Sequence, residues 1–136
     1  SGEAFHEAGF DTVDGTDFSQ QMLDVAAAKG VYRKLYKGDL NHPIPAQPGD
    51  YDNIAAVGVL NPGHAPAEMI DTVVARLPRG GCFGFSLNDH ALEDPDYEDR
   101  IKALAEAGQV EVVSDAYGDH LPGIGLKAKI YVLRKL

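Results

Sequence analysis

The chain has 136 residues, 44% of them hydrophobic, and twenty-one acidic side chains against twelve basic ones give a formal charge of −9. That length fits one domain, read here as 1–136, able to bury roughly two thirds of its unfolded surface; the acidic balance argues against a protein built mainly to grip nucleic-acid backbones, which needs a basic footprint. One cysteine, Cys82, leaves no internal disulfide, no run reaches the roughly 20 apolar residues of a membrane span, and no signal peptide is visible, so a reducing, cytoplasmic setting is expected.

Residues 1 to 8 read as the end of a helix stopped by Gly9. A weak strand, Thr12 to Asp17, follows, with Asp17 at the point where strand gives way to helix. Ser19 is placed to cap that helix, which runs to Lys29 with Met22, Leu23, Ala26 and Ala27 at the 3.6 period and Gly30 as its stop. Ligands of open α/β sheets bind at the carboxyl ends of strands, so a carboxylate at Asp17 is well placed to hold a ribose; a solvated loop acid or a second capping group is the plainer reading. Val31 to Lys37 is a short strand candidate. Three prolines make Asn41 to Asp50 a loop.

Tyr51 to Leu60 reads as the best strand, apolar without alternation from Ile54 onward, as a parallel strand covered on both faces would be. The next helix is expected from Pro66, with Ile70, Val73, Val74 and Leu77 on one face. Cys82 to Leu87 is a buried strand and Asn88 to Pro95 a polar loop. Asp94 caps a helix that buries Tyr97, Ile101, Leu104 and Ala105 and stops at Gly108. Val110 to Ala116 and Ala128 to Arg134 are strands with no room for a helix between them, hence antiparallel neighbours. The alternation implies an α/β fold: a doubly wound, mostly parallel sheet with helices on both faces and an antiparallel C-terminal strand.

Four segments in this order resemble the class I S-adenosylmethionine-dependent methyltransferases. Gly15-Thr16-Asp17-Phe18 through Leu23 is similar to the family's second-strand segment, Gly38-Asp39-Leu40 to the segment after its third strand, Tyr51 through Leu60 to its fourth strand, and Leu77-Pro78-Arg79-Gly80-Gly81-Cys82-Phe83 to its Pro-Gly-Gly turn into the fifth. Leu121 through Leu126 and Ile130-Tyr131-Val132-Leu133-Arg134 resemble, more narrowly, the methyltransferase-like group named for the Williams–Beuren region. The resemblance implies a Rossmann-like domain using S-adenosylmethionine to methylate a small-molecule acceptor. The family's first strand and glycine-rich loop have no counterpart here, and Ser1-Gly2-Glu3-Ala4 is similar to the helix that follows that loop. The expectation is a single methyltransferase-like domain truncated at its N-terminus, a fragment of a larger enzyme.

On this reading Asp17 accepts hydrogen bonds from the ribose, Phe18 and Met22 offer apolar surface to the adenine, Asp39 accepts from its amino group and Leu40 covers the ring. Ala56, Val57 and Gly58 let the ligand approach the backbone. Each has a plainer reading: Phe18 and Met22 as core at a strand-helix joint, Asp39 as the start of a turn, the small residues as room for helix packing. Asn61, His64, Asn88, His90 and His120 follow strands, where a substrate pocket would lie, though exposed loop histidines are common. No catalytic residue is assigned, since alignment with an activated methyl group carries much of such a reaction. None of the five histidines has metal-site spacing, and Cys82 reads as a small buried residue. The acidic run Glu93 to Asp99 reads as a charged helix start. A non-catalytic relic or binding module of the same fold is the main alternative, and a nicotinamide-dependent oxidoreductase the second.

Overall fold

The computed structural model describes residues 2–10, 12–17, 19–38, 47–121 and 126–136. The chain divides into two compact units, Ser1–Pro45 and Ala46–Leu136. No helix among the described residues is long and apolar enough to cross a membrane.

The first unit contains α1 (Gly2–Glu7), β1 (Asp14–Asp17), α2 (Gln20–Ala28) and β2 (Lys34–Lys37). α1 stops at Gly9, whose φ of +102° costs a side-chain-bearing residue strain. Ser19 caps α2 as expected: its Oγ accepts from the Met22 N–H at 3.3 Å. β1 and β2 are parallel, paired from Asp14↔Lys34 to Asp17↔Lys37. At their start the Asp14 carboxylate, 4% exposed, takes both prongs of Arg33 at 3.0 and 2.7 Å and the Lys34 N–H at 3.2 Å. The apolar stripe of α2 is narrower than its period suggests. Leu23 is buried, whereas Met22 is 55% exposed and Ala27 is exposed.

The second unit contains β3 (Asn53–Ala56), α3 (Glu68–Arg76), β4 (Cys82–Asn88), α4 (Asp89–Leu92), α5 (Pro95–Glu106), β5 (Val110–Leu121) and β6 (Leu126–Lys135). Its four-stranded sheet has the order β3-β4-β6-β5, with β3 parallel to β4 and β6 antiparallel to both of its neighbours. The expected antiparallel pair is therefore present, with β5 running on to Leu121, beyond the expected Ala116. On one face Phe85 stacks on Tyr131 at 5.4 Å and lies 4.5 Å from Phe83, with Leu133 fully buried beside them. α5 lies over that face: Glu98 accepts from Lys129 Nζ at 2.9 Å and from the Tyr131 hydroxyl. α3 lies alongside, with Arg100 of α5 paired to Asp71 and, at 3.5 Å, to Glu68.

Three local expectations are corrected. The strand expected over Tyr51 to Leu60 covers only Asn53–Ala56, because Gly58 turns at φ +70° and gives its N–H to Ser86 Oγ at 2.9 Å, off the ladder. Leu60 returns only as an isolated bridge to Ala65. α3 begins at Glu68; the Met69 and Ile70 N–H groups reach back to Pro66 and Ala67 in a tighter first turn. The polar loop expected after β4 holds the short helix α4, capped by Asn88, whose Oδ1 accepts from the Ala91 N–H at 2.9 Å.

The Pro-Gly-Gly turn has a steric cause. A Cβ on Gly81 would stand 2.5 Å from the Asp52 carbonyl oxygen. That approach lets the Cys82 N–H reach the same oxygen at 3.2 Å, starting β4 in register with β3. Among the described residues β1 and β3 each pair along one edge only.

Candidate functional site

In the first unit the site begins at Asp17. Its backbone carbonyl still belongs to the sheet, accepting from Gly38 N–H at 2.9 Å. Its exposed carboxylate folds over the turn, Oδ1 accepting from the Ser19 N–H at 2.9 Å. Asp17 and Ser19 thus each take one N–H group at the start of α2, that of Ser19 and that of Met22. A carboxylate held there at the carboxyl end of a parallel strand has lone pairs left for hydroxyl donors. Met22, one turn along α2, keeps its side chain exposed. Phe18, Asp39 and Leu40 lie outside the described residues.

In the second unit the carboxyl ends of β3 and β4 form the other candidate surface. Ala56 is buried, Val57 is 51% exposed, and Gly58 has open space where a Cβ would stand. Ser86, a buried hydroxyl on β4, holds the Gly58 amide and so sets the path of the chain leaving β3. Asn61 and His64 come together in one shallow hollow with Glu68, Asp94, Asp96 and Tyr97. Tyr97 is buried there and donates its hydroxyl to the Ala65 carbonyl at 2.8 Å. Burial, then the carboxylates of Asp94, Glu68 and Asp96, hold its phenol above the usual range. Asn88 commits its carboxamide oxygen to the α4 cap, and His90 is exposed on α4. His120 lies in β5, its side chain outside the described residues.

Directly after β4 stands Asp89. Its Oδ1 accepts the Tyr117 hydroxyl at 2.5 Å and its Oδ2 the Lys127 N–H at 3.2 Å, so one carboxylate ties α4 to both β5 and β6. The Tyr117 hydrogen bond, then the Lys127 amide and the charges of Lys127 and His90, hold Asp89 below the usual carboxylate range. The same bond pushes the Tyr117 phenol up. Among the described residues no cluster of three or more His, Cys, Asp or Glu side chains suits a metal ion.

No family model matches the chain. It is 31% identical over 109 residues to methyltransferase-like protein 27 of Homo sapiens, an alignment that covers 76% of this chain and 43% of that one. The chain thus spans less than half the length of that relative. Among solved structures it superposes on the N-methyltransferase NodS from Bradyrhizobium japonicum WM9 with a TM-score of 0.67 and 17% identity, covering 99% of this chain and 81% of that one. An S-adenosylmethionine-dependent methyltransferase from Mesorhizobium loti gives 0.66 and 19%, covering 98% and 84%. This chain has the class I methyltransferase fold. The resemblance read from the four sequence segments is borne out at the level of that fold.

Within the methyltransferase fold, sequence reasoning passed over Ser86, Asp89 and Tyr117. Ser86 sits in an apolar run and carries no local pattern. Asp89 and Tyr117 meet only through the register of the last two strands, so no spacing along the chain announces them. The one available signal was an acid at or just past a strand's carboxyl end, the feature that singled out Asp17.

Proposed function

We propose that this chain is the S-adenosylmethionine-binding part of a methyltransferase that acts on a small-molecule acceptor in the cytoplasm, with residues 1–136 working as one domain. The fold likeness carries the reading, and the 31% identity to methyltransferase-like protein 27 supports it. The residues present suit the cofactor. Asp17 offers an exposed carboxylate at a strand's carboxyl end, and Gly58 leaves open space where a ligand can approach the backbone. The cofactor, when bound, supplies a methyl group already activated on a sulfonium. The chain's own part is to grip the ribose through Asp17 and the adenine side through Phe18, Met22, Asp39 and Leu40. In this reading Ala56, Val57 and Gly58 serve the methionine side, and Asn61, His64, Asn88, His90 and His120 are the candidates for contact with the acceptor.

Calorimetric titration of S-adenosylhomocysteine into residues 1–136, and into the chain extended upstream of Ser1, tests this. Binding by the extended chain supports the enzyme; binding by neither supports a relic of the fold; NADH binding in its place supports an oxidoreductase. Asp17→Ala should weaken S-adenosylhomocysteine by about 1–3 kcal/mol, the loss expected for hydrogen bonds to a charged group. Unchanged affinity assigns the ribose to another acid.

A further inference from the structure

We propose that Asp89 and Tyr117 form a recognition pair for a cationic amine carried by the methyl acceptor. The inference rests on the methyl-transfer reading above and names the acceptor's chemistry.

Three observations converge on it. The pair stands where open α/β sheets receive ligands: Asp89 is the first residue beyond β4, and Tyr117 lies towards the carboxyl end of β5, which runs in the same direction. The carboxylate is fixed in place by donors from two strands, one on each oxygen. A carboxylate held below its usual range is a poor proton acceptor near neutral pH, so its use is as a standing negative charge. Finally, Tyr117 is 53% exposed and its ring already attracts a cation, the Lys127 ammonium 5.9 Å from its centroid.

An aromatic face beside an oriented carboxylate is the arrangement that binds an organic ammonium: the ring quadrupole and the full charge both favour it, and both disfavour an anion. Lys127 then acts as an internal competitor for the ring. Its backbone N–H, which holds Asp89, is independent of its side chain, so the two roles separate by mutation.

The test uses propylammonium, with propanol and propionate as neutral and anionic probes of similar size, titrated into the 15N-labelled chain extended upstream, with S-adenosylhomocysteine present. Propylammonium should shift the backbone signals of Asp89, Tyr117 and Lys127 saturably, and the other two probes should not. Asp89→Asn should weaken it about threefold, Tyr117→Leu about as much, and Lys127→Ala should tighten it about twofold. Tyr117→Leu decides the matter if Asp89→Asn melts early, because it removes the ring while keeping the negative charge and its hydrogen bond from the Lys127 N–H. Equal response to propanol or propionate, ammonium shifts scattered over the acidic surface, or unchanged affinity in Tyr117→Leu overturns the proposal. S-adenosylhomocysteine binding without a selective ammonium response removes this inference alone. Selective ammonium binding in a chain that ignores S-adenosylhomocysteine removes the methyl-transfer reading and leaves the cation site standing.

Discussion

The two units are built to different standards of internal support. Among the described residues of Ser1–Pro45, Leu23 is the buried hydrophobic side chain, while Phe10, Met22 and Val25 are exposed around a two-stranded sheet. Ala46–Leu136 buries an aromatic and aliphatic core that includes Ile70 and Val73 of α3, Phe83 and Phe85 of β4, Tyr97 and Ile101 of α5, and Leu133 of β6. Two strands rarely sustain themselves, whereas four with a covered hydrophobic face do. The residue offered to the ribose thus sits in the unit with the smaller core, and the amine-recognition pair in the unit with the larger.

The largest expected effect tests that contrast directly. Leu133→Ala, at a fully buried position, should cost about 3–5 kcal/mol by urea denaturation, and Leu23→Ala about 2 kcal/mol, since a two-stranded sheet relaxes more readily around a void. A reversed order breaks the comparison.

A pair of glycines sharpens it. Gly81→Ala drives a Cβ to 2.5 Å from a backbone carbonyl, which must move with β3, and should cost about 1–3 kcal/mol. In the first unit the nearest neighbours of a Cβ on Gly15 would be side-chain atoms, Leu35 Cδ2 and Tyr32 Cε1 at 2.9 Å and Tyr32 Cδ1 at 3.1 Å. Those ends can swing aside, so Gly15→Ala should cost less, and the two melting temperatures will show which neighbour yields.

The smallest effect is in pH. The Tyr131 hydroxyl first, then Lys129, hold the Glu98 carboxyl below its ordinary value of 4.5. A depressed folded value stabilises the fold above the unfolded one and is lost as pH falls through the folded value. Stability should therefore drop as pH falls below about 4.5, the ordinary Glu range, and Glu98→Gln should flatten that drop. Parallel curves for the two proteins assign the acid sensitivity elsewhere.

Much of this was legible where the signal is local. Ser19 and Gly30 bracket α2, and Asp94, Pro95 and Gly108 bracket α5, because caps and stops act within one turn of the backbone they satisfy. The antiparallel pairing of β5 with β6 followed from the short connection between them. What escaped is set by partners far along the chain. Nothing in Ile54 through Leu60 says that Ser86 will draw the Gly58 amide off the ladder. α4 was hidden because one turn is too short to show a period, and only the Asn88 cap marks it. Of the site, Asp17 could be picked out by its place between strand and helix, whereas Tyr117 reaches Asp89 across twenty-eight positions of sequence.

The strand order also bears on synthesis. β6 lies between β4 and β5 yet follows every other described strand, so a growing chain must carry both of those neighbours with bare backbone until Leu126–Lys135 leaves the ribosome. Such edges invite pairing with other nascent chains. Slowing translation across this last stretch should therefore lower the yield of native protein, even though no residue is altered.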